Sequence, residues 1–422
     1  MRKYVAIFVV IFIGIGGLSL YLLSNRPQET IKIGVLHSLS GTMAISEASV
    51  VDATLLAVEE INAKGGVLGR MIEPIVIDGK SDWDIFAQEA ENLIVNEDVQ
   101  VVFGCWTSAC RKTVQPVFEE YNHLLIYPVQ YEGLESSPNI IYTGAPPNQQ
   151  IIPAVRWGME NLGVRVFLVG SDYIFPRTAN EIIRRQVLSQ AGEVVGEAYI
   201  LLGSTDVDQI IAQIVATQPD MIINTINGDS NIAFFQALRN AGITSDDIPT
   251  ISFSIAEPEL QTLQSETVVG DYAAWTYFQS IDTPENRAFV TRFQARYGAD
   301  RVISDPMEAA YSGVYLWAQA VEDAAETNPQ VVRMSMHRQS FNAPQGIVYV
   351  DPQTQHLWKK VLVGQIRADG QFDIVWDSIT PVRPLPYITT YLTRDEWDGF
   401  LNNLYIGWNG QWANMGVAVQ ND

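Results

Sequence analysis

The stretch Cys105-Trp106-Thr107-Ser108-Ala109-Cys110 concentrates side chains that can do chemistry. It follows the apolar run Val99 to Phe103 and precedes a helix-like segment through Val117. Hydroxyls at such a corner can cap the helix by accepting from its first free amides. They can also face a ligand, because those amides are donors in search of an oxygen. A nucleophilic cysteine is a third chemistry open to the corner. Ser108 or Thr107 is the expected N-cap. Cys105 and Cys110 read as two ordinary small residues near a helix start, since two cysteines make no disulfide framework. A local disulfide stays open in an oxidising compartment.

Further loops follow predicted strands in the same way. They carry Tyr127, Gln130 and Tyr131; Asp172, Tyr173 and Phe175; Asn227 and Asp229; Ser254 and Glu257. Open α/β sheets bind ligands beyond the carboxyl ends of their strands. Any one of these residues is more often a turn or packing residue than a contact, and the weight lies in their sharing one rim. Signatures of enzymes are missing: there is no G-x-x-x-x-G-K-[ST], no H-E-x-x-H and no G-x-S-x-G. The four histidines are scattered without metal-ligand spacing. No catalytic residue, metal ligand or cofactor site is therefore assigned.

The elements that must position these loops alternate. Ile31 to Leu36 reads as a strand, and the helix after it puts Val50, Ala53, Ala57 and Ile61 on one face before Gly65 and Gly66 stop it. Strand, helix and strand repeat through Phe103 and restart at "VRVFLVGSDY". Two doubly wound parallel-sheet units follow from this pattern, joined near "GAPPNQQIIPAV" with a cleft and hinge between them. Later segments read as two helices and then antiparallel hairpins around an Asp-Gly turn. The aromatic-rich end, "EWDGFLNNLYIGWNGQWANMG", has no clear assignment.

The bulk numbers narrow the partners. The 422 residues carry 26 Lys and Arg against 48 Asp and Glu, a formal charge of -22. Such a chain is a poor nucleic-acid binder, and it repels small anions unless a local site opposes its field. Arg2 and Lys3 precede an apolar run from Tyr4 to Leu23, which is long enough to span a bilayer. The charge order predicts an exported remainder, anchored to the membrane by residues 4–23, with cleavage of a signal peptide as the alternative.

The motifs "GTMAISE", "FGCWTSACRK", "YPVQYEG", "NIIYTGAPPNQQ", "GSDYIFPRTAN", "NTINGDSNIAFF" and "SIDTPENRAF" closely resemble the urea-binding proteins of urea ABC transporters. Those are related to short-chain amide sensors and, more distantly, to branched-chain amino-acid binding proteins. The resemblance runs from about Ile31 to about Tyr391. It implies a type I periplasmic-binding fold with two lobes, three crossovers and a hinged cleft, and a family that is not enzymatic. It also implies the division of the chain: 1–30 as anchor and linker; 31–148 with about 280–343 as the first lobe; 149–279 with about 344–395 as the second; and 396–422 as a tail. By the resemblance, the amide sits between Ser108 with Trp106, Tyr127 and Tyr131, and Tyr173 with Phe175. Phe175 stands where the sensors have Tyr, and Trp106 is larger than their Tyr. No lipobox Cys follows the apolar run.

Urea is neutral, flat and small, with one strong acceptor oxygen and four N–H donors. The amides of Thr107 to Ala109 and the Ser108 hydroxyl can donate to it, Glu257 and the Tyr hydroxyls can accept, and Tyr127 and Trp106 can form walls. Gln130 lies on the same loop as Tyr131. Unpaired buried groups would then reject a wrong ligand. The expectation is an extracytoplasmic receptor for urea or a short-chain amide that delivers it to ABC permease subunits. Branched-chain amino-acid receptor and signalling ectodomain are the alternatives. An amino-acid site needs an anion-binding Arg, and the sequence places none. An amide hydrolase would need the catalytic constellation that is missing.

Overall fold

A computed structural model describes residues 29–263 and 265–416. The apolar run 4–23 lies outside them. Among the described residues no helix is long and apolar enough to cross a membrane.

The first half opens with β1 (Ile31–His37), α1 (Ala44–Asn62), β2 (Ile72–Asp78), α2 (Trp83–Val95), β3 (Val102–Gly104), α3 (Ser108–Glu120), β4 (Leu125–Tyr127) and β5 (Ile140–Tyr142). Its sheet runs β2-β1-β3-β4-β5, all parallel. Helices cover it, so its strands are apolar nearly throughout. Val50, Ala53, Ala57 and Ile61 are buried on one face of α1, as their spacing requires. Gly66 ends that helix at φ 77°, with its amide on the Ile61 carbonyl. A Cβ there would meet the Arg70 carbonyl oxygen at 1.9 Å, so no other residue fits.

The chain then crosses over to α4 (Ile151–Asn161), β6 (Arg165–Ser171), α5 (Ile174–Ser189), β7 (Glu193–Ile200), α6 (Asp208–Thr217), β8 (Met221–Thr225), α7 (Ser230–Asn240), β9 (Thr250–Ser252), α8 (Glu257–Leu263) and β10 (Tyr272–Trp275). It returns through residues 276–283 to α9 (Pro284–Tyr297), α10 (Asp305–Ala324), α11 (Pro329–Met336) and a small antiparallel sheet. That sheet is β11 (Ser340–Ala343), β12 (Gly346–Val350) and β13 (Leu357–Trp358). Phe289, Met307, Trp317 and Val348 from this return pack into the core of the first sheet. A third passage leads to β14 (Leu362–Ile366) and β15 (Phe372–Asp377), and α12 (Arg394–Gly407) follows.

The second sheet has the order β15-β14-β10-β9-β8-β6-β7. Its five strands β7, β6, β8, β9 and β10 are parallel, and β14 and β15 add to its edge as the antiparallel hairpin that the Asp-Gly turn leads one to expect. The hairpin arises at the Asp-Gly turn, where the Arg367 amide meets the Gln371 carbonyl at 2.8 Å. The expected strand at 99–103 shifts. Gln100 and Val101 bond to β1 through the Lys32 carbonyl and the Gly34 amide, and the strand proper begins at Val102.

Candidate functional site

The carboxyl ends of β3 and β4 deliver the Cys105–Cys110 corner and the Tyr127–Glu135 loop to one place. Thr107 is the N-cap of α3: its Oγ1 accepts from the Cys110 amide at 3.0 Å and from the Trp83 indole at 3.0 Å. The first amides of the helix, at Ser108 and Ala109, have no intrahelical partner and remain available as donors. Cys105 and Cys110 are joined in a disulfide across a Cα–Cα distance of 5.7 Å, and Cys105 takes a left-handed φ of 64°. The pair is thus a staple around Trp106 to Ala109, not two ordinary small residues.

Ser108 does not cap. Its hydroxyl donates to Glu132 and accepts from Arg111 Nη1 at 3.1 Å. One lone pair of the hydroxyl stays unused. Arg111 is fully buried, bonding Glu132 at 3.0 Å and Glu135 at 2.9 Å. Its guanidinium lies 4.9 Å from the Tyr127 ring and 4.3 Å from the Tyr131 ring. Burial opposes its charge, but Glu135 and Glu132 outweigh that and hold it protonated well above its ordinary value. Burial likewise pushes the Glu135 carboxyl up, but Arg111 and Lys112 prevail and hold it well below the usual range. Lys112 pairs with Glu135 at 2.7 Å, so both cations of α3 are committed.

The expected contacts divide on this frame. Tyr127 donates to the Trp106 carbonyl at 2.5 Å. Trp106 reaches across to Asn227 in the other lobe at 3.3 Å. Tyr173, at the start of α5, enters from that lobe. Burial pushes its hydroxyl well up, and the neighbouring Tyr127, Glu132 and Glu47 push the same way. Glu47 is held by the Ser38 amide at 2.9 Å and His37 Nδ1 at 3.0 Å. Trp106, Thr107, Ser108, Tyr127 and Tyr173 are therefore together.

Four other expected contacts point elsewhere. Tyr131 walls Arg111 but turns its hydroxyl to His356 Nε2 at 2.6 Å, within a stack that includes Tyr142. Gln130 donates to the Phe253 carbonyl at 2.7 Å and ties the lobes together. Phe175 packs in the core of the second lobe. Glu257 accepts from the Gln279 amide at 2.7 Å and neighbours Glu259 and Asp305, which are outside the Ser108 group. Sequence reasoning missed Arg111, Glu132 and Glu135. The signal was there, in a cation three residues beyond Ser108 and acids one and four residues after Tyr131.

A family model described as "Periplasmic binding protein domain" matches residues 31–393. The chain belongs to that family. Periplasmic binding proteins of this kind are extracytoplasmic solute receptors of ABC transporters and not enzymes, and this chain is one of them. "Leu/Ile/Val-binding protein homolog 6" of Brucella melitensis is 23% identical over 355 residues, covering 81% of this chain and 89% of its own. A solute binding protein of an ABC transporter from R. palustris, solved in complex with 4-hydroxybenzoate, has the same fold. It superposes with a TM-score of 0.77 at 23% identity, over 84% of this chain and 98% of its own. A "Limonene hydroxylase" of Geobacillus stearothermophilus is 38% identical over 125 residues. That match spans 30% of this chain and 23% of the relative's length.

Proposed function

We propose that the receptor binds a small neutral amide, urea or a short-chain amide, in the cleft between its lobes and delivers it to an ABC permease. The observation that carries this reading is the committed state of Arg111. It is caged by Tyr127 and Tyr131 and bonded to Glu132, Glu135 and Ser108. A ligand carboxylate at the start of α3 would lie beside Glu132 with no spare guanidinium to offset it. A carbonyl oxygen needs no counter-charge and is served by the Ser108 and Ala109 amides. The ligand N–H groups meet acceptors: the free lone pair of Ser108, the carboxylates of Glu132 and Glu47, and the Tyr173 hydroxyl. Trp106, Tyr127 and Tyr173 supply flat walls. The same chemistry disfavours an amino acid or an aromatic acid.

The test is a melting series on residues 27–422 with urea, acetamide, leucine and 4-hydroxybenzoate at non-denaturing concentrations. A native-state ligand must raise the melting temperature by mass action. The reading expects a rise with an amide and none with the two acids. A rise with leucine or 4-hydroxybenzoate alone would refute it.

A further inference from the structure

The family match ends at residue 393, yet the chain beyond it is built into the second lobe. Thr393 caps α12 in a reciprocal pair with Glu396, and the helix buries Trp397 and Leu401 in the core that also holds Tyr173. After the helix, Asn409 and Gly410 turn the backbone at φ 56° and 78°. Residues 412–414 then run antiparallel to 172–174, with Ala413 opposite Tyr173. The Ile174 amide donates to the Trp412 carbonyl at 3.0 Å, and the Asn414 amide donates to the Asp172 carbonyl at 2.9 Å. The Asn414 side chain adds a bond to Asp172 Oδ2 at 2.7 Å.

These bonds fix both shoulders of Tyr173. They also fill a local need, because Tyr173 begins α5 without a side-chain cap. The Trp412 carbonyl takes up one of the orphan amides that such a helix start leaves. The same segment reaches the other lobe: the Lys112 ammonium lies 5.4 Å over the Trp412 ring. Lys112 belongs to α3, the helix that starts at Ser108.

We infer that residues 412–414 form a strap that positions Tyr173 for the ligand and bears on the Ser108 helix across the cleft, with Asn414 as its positioning residue. The inference rests on the reading of Tyr173 as a ligand contact. Asn414→Pro removes both Asn414 bonds to Asp172, and Asn414→Ala removes only the side-chain one.

Hydrogen exchange on the ligand-free full chain separates the strap from the identity of the ligand. Asn414→Pro should speed exchange at 172–176 by about tenfold, the equivalent of one lost net hydrogen bond. Asn414→Ala should speed it less, and the β14–β15 hairpin should exchange as in wild type. Calorimetry with urea should then show binding weakened by about tenfold in Asn414→Pro. If wild type binds no urea while exchange still rises, the strap stands and the amide reading falls. Unchanged exchange at 172–176 in both variants would overturn the strap. So would faster exchange with unaltered urea affinity in a wild type that binds urea.

Discussion

Two buried polar clusters in this molecule hold charge in opposite ways. Around Arg111 every charge has a partner: Arg111 with Glu132 and Glu135, and Lys112 with Glu135. Around Glu257 acids gather instead. Burial pushes Glu257 up to about 8, and Glu259 and Glu308 to about 7. The Lys359 ammonium lowers Glu308 but donates its bond to the Thr143 carbonyl at 2.9 Å. The same carboxyl group is thus held as an ion in one place and pushed toward the neutral acid in the other, and its partners decide which. The paired cluster can present fixed dipoles to a ligand. The acid cluster borders the crossover at 276–283, where Asp305 takes the Thr276 amide at 2.9 Å and Glu257 takes the Gln279 amide.

The largest effect expected from this contrast is in the paired cluster. Arg111→Leu would leave Glu132 buried without a cation and Glu135 with Lys112 alone, and breaking a buried pair costs about 3–5 kcal/mol. Guanidinium chloride unfolding should show that loss, or the variant should fail to accumulate folded. A cost below about 1 kcal/mol, the level of an exposed pair, would mean that the network is not the frame of the site.

The acid cluster should show itself through pH. Glu257, Glu259 and Glu308 have folded values above their ordinary 4.5, so the fold keeps protons that the unfolded chain releases. Their contribution is complete below about pH 4.5 and is lost as pH rises through about 7 to 8, at about 1.4 kcal/mol per group for each tenfold gain in proton affinity on folding. Glu135 has the opposite sign: its contribution is present above about 4.5 and is lost only at lower pH, outside this window. Burial lowers His356 to about 3, which works against this decline below about pH 6.5. Stability should therefore decline most clearly from about pH 6.5 to about pH 8, and Glu257→Gln should flatten the slope. A slope unaffected by that change would remove Glu257 as a proton holder.

Much of the frame was legible in the sequence. Parallel strands covered on both faces must be apolar runs, and Val102, Phe103, Ile222 and Ile223 are such residues, all buried. The capping hydroxyl was also legible, though only the structure separates Thr107, which caps, from Ser108, which does not. Partners set by tertiary packing were not. Arg111 meets its acids 21 and 24 residues away, through a loop whose course no local pattern fixes. The disulfide depends on a left-handed Cys105, which propensity disfavours. Glu257 lies just after a strand, as a ligand contact would, but its helix start turns it to Gln279. The aromatic end gave no direction, because a helix such as α12 finds its place only through the groove that takes Trp397.

The smallest effects expected distinguish the two hydroxyls. Ser108→Ala should weaken urea binding by about 1 kcal/mol, or up to about 3 if a ligand group is left unpaired. Thr107→Ala should cost about 1 kcal/mol of stability as a lost cap. Calorimetry and melting on the pair read the two losses separately. A Ser108→Ala variant with wild-type affinity would take Ser108 out of the site.

The most direct measurement is a calorimetric titration of urea, acetamide and acetate into the wild-type receptor at one pH. Acetamide and acetate share size and shape and differ in charge. With Arg111 and Lys112 both committed to acids, at least one neutral amide should bind and acetate should give no heat of binding. Acetate binding as tightly as either amide would show that the cleft holds a free cation for a carboxylate, and would contradict the neutral-amide site.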